Sequence, residues 1–384
     1  MSFSELQLGE FIRIKHGFAF RGDFFREEGK YVILTPGHFF EAGGFRDRPD
    51  KDRFYVGDFP ESFILPKRSL IIAMTEQGAG LLGSSALVPA DDRYLHNQRI
   101  GLVRITEPDQ LDDEYLYRLF NTRTVRAQIN ASASGTKVRH TAPERVYRVK
   151  VSIPPIDVQR KIASAIAQYD DLIENNRRRI ALLEQAARLL YEEWFVRFRF
   201  PGHDHAKFIN GLPEGWEQRK FGSILTLQRG FDLPSASRID GDVPVYGSTG
   251  VLDHHNVSKV TVPTVITGRS GSLGQVCYAD QPCWPLNTCL WVKEFKGVSP
   301  YFAYHLLKAM DLSRMNGGAS VPTLDRKAVH RVDVVLPTSA VLSLFDEYVS
   351  KIFSGQKILN QQNEKLTQTR DLLLPRLMSG EVEV

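Results

Sequence analysis

One block of this chain recurs at a fixed offset, and that restricts the fold more than any motif does. Gly135, Val138, Ile153-Pro154, Ile162, Leu183 and Leu190 return as Gly318, Val321, Leu336-Pro337, Phe345, Leu366 and Leu373. Every pair is 183 residues apart, so Gly135 to Phe195 aligns with Gly318 to Met378 without a gap. Each copy opens on a similar strand-like block, Gly9 to Gly17-Phe18 and Gly222 to Gly230-Phe231. Between block and tail the register is lost: 118 residues separate Gly17 from Gly135, but 88 separate Gly230 from Gly318. Two similar frames therefore hold two different inserts. That arrangement suits reading two different things at a fixed separation better than running one reaction.

Each copy divides into a β-rich part and a helical tail. In the first, short apolar runs such as Tyr31 to Leu34, Ser69 to Ala73 and Ile100 to Ile105 are bounded by Gly, Pro and Asp, with one helical stretch from Leu111 to Ile129. After Pro155 neither Pro nor Gly occurs until about Arg197, and apolar residues fall at alternating spacings of four and three. The seam Ile162, Ile166, Tyr169, Ile173, Asn176, Ile180, Leu183, Leu190 predicts a coiled-coil-like helix with one polar member. In the second copy Pro300 to Met310 reads as helix among strand-like runs. A second long helix follows from about Ala340 to Met378, with the seam Phe345, Val349, Ile352, Gln356, Leu359, Asn363, Leu366, Arg370, Leu373, Leu377. It is the more polar of the two, a poor helix alone, and calls for the first as its partner.

The duplication predicts how the pair meets. An antiparallel register placing Asn176 opposite Asn363 also sets Ile173 opposite Leu366, Ile180 opposite Leu359 and Trp194 opposite Phe345. The buried amides then satisfy each other, at the expense of a Gln356–Leu183 mismatch.

Catalytic patterns are wanting. Gly78-Ala79-Gly80-Leu81-Leu82-Gly83 fits G-x-G-x-x-G, but Ser84 to Pro89 reads as another strand, whereas a dinucleotide site needs a helix N-terminus there. Gly268, Gly271 and Gly274 occupy the matching place in the second copy, so both are glycine-rich β-connections. No phosphate loop, zinc-protease or nucleophile-elbow pattern occurs. Cys277, Cys283 and Cys289, with His254 and His255 nearby, lack zinc-site spacing and read as small core residues. Three cysteines, no secretory N-terminus and no apolar run of ~20 residues indicate a cytoplasmic protein outside the membrane.

Local charge points to nucleic acid. From Arg123 to Lys150 there are seven Lys and Arg against one acid, Glu144, and the hydroxyl-rich loop Ser132 to His140 lies among them. Such a loop offers amide, hydroxyl and cationic donors to phosphates and base edges. Its counterpart, Asn316 to Thr323, is again small and polar, and Lys259 and Arg269 stand in an acid-poor stretch. The candidate DNA-facing set is Thr75, Gln77, Ser134, Thr136, Lys137, Arg139 and His140, then His254, Arg269, Ser270, Ser320 and Thr323. Arg177-Arg178-Arg179 spread around their helix and read as a solvated face, or as a contact to DNA backbone or a partner.

These features together resemble the specificity subunits of type I restriction–modification systems. The telling parts are Ile153-Pro154-Pro155 with Gln159 before a long helix, Trp194-Phe195 closing it, Leu212-Pro213-Glu214-Gly215-Trp216 opening the second half, and the tail Leu372 to Gly380. One departure is Phe3, which stands in the first half where Trp216 stands in the second. The resemblance implies an α+β chain in which two mixed α/β target-recognition domains are joined by two long antiparallel helices with a pseudo-twofold repeat. Its divisions would be 1–154, 155–200, 201–337 and 338–384. It also implies a non-catalytic subunit that reads a bipartite, asymmetric site on double-stranded DNA. The helices would dock two methyltransferase subunits and up to two restriction/translocase subunits, with S-adenosylmethionine, ATP and Mg2+ bound on those partners. A helix of ~35 residues is ~52 Å long, enough to set two reading domains one DNA turn, ~34–36 Å, apart. The rival readings are an orphan or other-type recognition subunit, and a coiled-coil assembly scaffold that reads no DNA.

Overall fold

The stretch after Pro155 forms one helix in the computed structural model, Ile156–Tyr191, extended by a π turn at Glu192–Val196. The second helix, Ser339–Met378, runs through both Gly355 and Pro375. Pro375 is tolerated because it stands in the last turn, where one missing N–H disturbs little beyond it. The structure describes residues 5–76, 80–135, 138–318 and 321–384, apart from the Asp50 side chain. Two compact units emerge: Met1–Glu174 with Asn363–Val384, and Asn175–Gln362. Each unit takes a part of each long helix. Among the described residues no helix is long and apolar enough to cross a membrane.

Sheet order repeats even where sequence register is lost. In the first unit an antiparallel sheet runs in the order Ile12–His16, Ile100–Ile105, Leu70–Ala73, Ser85–Leu87. In the second the order is Leu225–Arg229, Cys289–Phe295, Thr264–Gly268, Val276–Ala279. A mixed sheet accompanies each, of five strands in the first unit and three in the second, built on a parallel pair: Tyr31–Ile33 with Tyr94–Leu95, and Val243–Gly247 with Trp284–Pro285. The inserts are thus less different than their sequences suggest. What differs is the decoration, with the extra strands Phe25–Arg26, Phe54–Tyr55 and Ile64–Leu65 in the first unit and the single hairpin strand Gly250–His255 in the second.

Individual bonds repeat as well. The Tyr147 hydroxyl accepts from the Ile14 N–H at 2.8 Å, and His330 Nε2 accepts from the Leu227 N–H at 3.0 Å. Tyr147 and His330 are one repeat of 183 apart, and Ile14 and Leu227 are equivalent positions of the two opening strands. Gly17 and Gly230 explain the shared Gly-Phe: a β-carbon there would lie 2.1 Å from the Asn97 carbonyl oxygen or 2.2 Å from that of Leu286.

All predicted seam residues are buried or half-buried, and the partners run antiparallel within each unit. In the second unit the Trp194 and Phe345 rings meet at 5.9 Å, Leu183 packs over Gly355, and Asn176 donates to Gln362 at 3.4 Å. The amide partner of Asn176 is therefore Gln362, not the Asn363 that the sequence suggested. Asn363 Oδ1 is buried without a hydrogen-bond partner among the described residues. Gln356 escapes its mismatch by donating to the Ile180 carbonyl at 3.4 Å.

The helix ends finish the cores. Trp194 and Phe195 pack with Trp216, Phe221, Phe302 and Phe345 in the second unit, and Leu377 and Met378 with Leu116, Phe120, Ile162 and Ile166 in the first. Flanking contacts follow the same plan with different chemistry. In the first unit buried Arg118 and half-buried Arg370 both donate to Asp170, at 2.7 and 2.8 Å. One repeat away, the places of Asp170 and Arg370 are taken by Phe353 and Ala187. Arg118 stands six residues past its helix N-cap, Asp112, as His305 does past Ser299. Rings replace the ion cluster, with His305 stacked on Tyr191 at 5.8 Å and against Phe353 at 6.1 Å.

Burial pushes the His305 imidazole down to about 4, with Lys308 adding to the effect. A buried neutral ring titrates at about 6.5 once unfolded. The unfolded chain thus binds the extra proton below pH 6.5, and the stability present above that value is lost as pH falls toward 4. All four tryptophans, Trp194, Trp216, Trp284 and Trp291, belong to this unit, so their fluorescence reports its unfolding. His305→Phe should keep a urea midpoint that changes less between pH 7 and 5 than the parent's. An equal change in both proteins would count against the assignment.

Candidate nucleic-acid interface

Both hydroxyl-rich loops close as hairpins on the end of a central strand. In the first copy Ser134 and His140 exchange backbone hydrogen bonds at 3.1 and 2.9 Å, and Arg139–His140 pairs antiparallel with Thr75–Glu76. In the second, Gly317 donates to the Thr323 carbonyl at 2.9 Å, and Thr323 bridges to Ser270. Gly135 and Gly318 hold the same place in the two hairpins. A β-carbon on either would lie 2.1 Å from a carbonyl oxygen, that of Val138 or Val321, so only glycine closes these turns.

Side chains add to this backbone pairing in the first hairpin. Glu76, with its side chain 1% exposed, accepts from the Leu81 and Leu82 N–H groups at 2.9 and 2.8 Å through one oxygen. Its other oxygen pairs with Arg139 at 3.1 Å. Arg139 also donates to the Asn130 carbonyl and side-chain oxygens, at 2.7 and 3.1 Å. Arg126, one turn before Asn130 on the helix Arg123–Ser132, donates to the carbonyls of Leu82 and Glu41 at 3.0 Å and to that of Gly80. Burial draws the Arg126 guanidinium below its usual range, while Glu76 and Glu41 pull it back. Further out, Ser134 Oγ accepts from Arg145 at 2.8 Å and lies 3.0 Å from exposed His140 Nε2.

The second hairpin is tied by backbone and by the Asn316 amide side chain. Gly271 donates to the Pro322 carbonyl at 3.0 Å and Leu324 to the Arg269 carbonyl at 2.8 Å. Asn316 Oδ1 accepts from the Gly318 and Thr323 N–H groups, both at 2.9 Å. Arg269 donates to the Asn287 carbonyl at 3.1 Å.

The structure therefore gathers Thr75, Ser134, Arg139 and His140 at one site and Arg269, Ser270 and Thr323 at the other. Arg139 does not present the free charge the sequence suggested, because its guanidinium is turned inward to Glu76 and Asn130. His254 is exposed, but it lies on the hairpin strand Gly250–His255 of the smaller sheet. Gln77, Thr136, Lys137 and Ser320 lie outside the described residues. Glu76, Arg126, Asn130, Arg145 and Ser248 were missed by the sequence reading. Ser248 would touch a β-carbon placed on Gly268 or Gly271, at 3.0 and 3.7 Å. Gly80 and Gly83 lead into the strand Ser85–Leu87 and not into a helix. Burial raises the thiols of Cys283 and Cys289, to about 12 and about 11, in keeping with core positions.

A family model described as the type I restriction modification DNA specificity domain matches residues 2–185 and 213–368. The chain belongs to this family. Among curated relatives, the type I restriction enzyme MjaIX specificity subunit of Methanocaldococcus jannaschii is 24% identical over 322 residues, covering 74% of this chain and 72% of the relative. The HindI specificity subunit of Haemophilus influenzae is 22% identical, covering 70% of this chain and 77% of its own. The crystal structure of a type I S subunit from M. genitalium shares the fold, with TM-score 0.59 at 18% identity over 98% of this chain and 96% of that one. Specificity subunits are the non-catalytic, DNA-recognising components of restriction–modification complexes, and this specificity subunit is one of them. Its partners are DNA and other subunits of such a system.

The paired turns give a direct expectation. Gly135→Ala and Gly318→Ala should each distort one hairpin, costing roughly 1–3 kcal/mol locally, without unfolding the chain. Each should lower DNA affinity in a filter-binding or fluorescence-anisotropy titration while circular dichroism stays unchanged. Parental affinity in both variants would take the hairpins out of the interface.

Proposed function

We propose that this specificity subunit reads a bipartite, asymmetric sequence on double-stranded DNA, one half with each hairpin-bearing domain. The observation that carries the reading is the same docked hairpin, on the same sheet order, dressed with different side chains in the two copies. A repeated platform gives two readings in related orientations, and unlike side chains make the two halves of the site unlike. Direct readout by donors and acceptors then sets sequence, and cations such as Arg145 and Arg269 supply phosphate contacts.

The proposal extends to the assembly. The subunit acts in the cytoplasm and binds two methyltransferase subunits and up to two restriction/translocase subunits. S-adenosylmethionine, ATP and Mg2+ work on those partners, and this chain holds none of them. Leu182, Leu189 and Val196 recur every seven residues along the first long helix and its π turn, at 64%, 41% and 57% exposure. Leu372, one repeat after Leu189, is 72% exposed on the second. Apolar side chains left open on a helix pair support a partner surface.

Two experiments test this. Replacing residues 230–317 with the corresponding insert of a relative should change one half of the site found by methylation sequencing and keep the other. Simultaneous change in both halves would end the idea of independent reading domains. Leu189→Glu should reduce co-purification of the methyltransferase partner while leaving the chain folded, and undiminished recovery of that partner would move docking elsewhere.

A further inference from the structure

We propose that Glu76 is a positioning residue for the first reading surface, where a buried ion pair supplements a backbone tie that the equivalent hairpin makes without one. The proposal rests on the reading of those hairpins as DNA-facing, and it deepens that reading. Thr75 pairs with His140 as Ser270 pairs with Thr323, one repeat further on. The next positions, Glu76 and Arg139 in the first copy, therefore correspond to Gly271 and Pro322 in the second. There the tie is a backbone bond, Gly271 N–H to the Pro322 carbonyl at 3.0 Å. Here the strands pair in the same way, Arg139 opposite Glu76, and an ion pair of 3.1 Å is added between a carboxylate side chain 1% exposed and a guanidinium 36% exposed.

The placement of that carboxylate fits positioning. One oxygen holds the Leu81 and Leu82 N–H groups, and the other holds the hairpin through Arg139. Two stretches that flank candidate DNA-facing residues are thus fixed to one buried atom group. Arg139 continues the tie to Asn130, and Arg126 on the same helix holds the carbonyls of Gly80 and Leu82. An ion pair of this kind adds little net stability once desolvation is counted. It sets geometry instead, because a forked guanidinium between fixed acceptors allows few orientations. A buried anion would also be a poor choice beside DNA phosphates unless Arg139 neutralised it. The first hairpin therefore adds a charge pair to its backbone pairing, at places that Gly271 and Pro322 take in the second.

The test uses the full chain with its methyltransferase partner. Its probes are duplexes carrying the site that methylation sequencing of the host locates, with each base pair replaced in turn. Glu76→Gln should lower discrimination among base pairs of the first half about tenfold, the order expected for losing a charged hydrogen bond. Discrimination in the second half should stay at the parental level, which also reports that the rest of the chain is folded. The double variant Glu76→Gln with Arg139→Gln restores a neutral amide pair and should recover most of the loss. If Arg139 instead touches DNA itself, the double variant will be no better than Arg139→Gln alone, and the proposal falls. It falls equally if Glu76→Gln leaves both halves at parental discrimination. Should Glu76→Gln not fold, Arg139→Lys, which keeps the charge but loses the fork, is judged by the same loss confined to the first half. Gly135→Ala and His140→Ala separate the layers. If neither alters discrimination, the reading of the hairpin as DNA-facing fails and the proposal with it. If they do and Glu76→Gln does not, only the positioning role is lost.

Discussion

Trp194 and Phe195 reach the second unit's core at the end of a helix that starts just after Pro155. Leu377 and Met378 reach the first unit's core from a helix that starts after Pro337. The rest of the structure hangs on this exchange of helix ends. Sliding one helix by a heptad would move its tip ~10 Å, far enough to withdraw these side chains from their pockets. The seam therefore does more than hold two helices together. Its register decides whether two cores close, and the polar contacts along it, Asn176 with Gln362 and Asp170 with Arg370, fall at the positions where that register is met.

The duplication has kept destinations rather than chemistry. A tyrosine hydroxyl and an imidazole nitrogen satisfy the same strand N–H in the two copies. An Arg–Asp–Arg cluster in one unit stands where His305, Phe353 and Ala187 stand in the other. Backbone donors in fixed places must be satisfied, and packed space must be filled, but many side chains meet those demands. This freedom lets one frame support two surfaces of unlike chemistry.

Much of the frame was legible from residues alone. The gapless offset located both hairpins and both long helices, since every element after Gly135 and Gly318 depends on local period and on glycines that nothing else replaces. The inserts hid their kinship. Ile12–His16 and Leu225–Arg229 open equivalent sheets, yet the connections between later strands differ in length, and strand order leaves no trace in a sequence once register is lost. Asn363 shows a finer limit. Helical period placed it on the seam, but which amide Asn176 chooses depends on side-chain reach, and Gln362 has an extra methylene. At the interface, charge pattern drew attention to Arg139, while the acid that claims it, Glu76, lies 63 residues earlier and looks like any strand residue. Long-range pairing of opposite charges is invisible to local composition.

The placement of Leu377 and Met378 also has a temporal side. They fill the core of a unit whose other residues, up to Glu174, leave the ribosome far earlier. At roughly 5–20 residues per second, synthesis of the intervening ~200 residues takes on the order of ten seconds or more. For that interval Ile162, Ile166 and Phe120 have no partner from the second helix, and an apolar face waits on the nascent chain. The first half of this molecule is thus the first to be made and among the last to be completed.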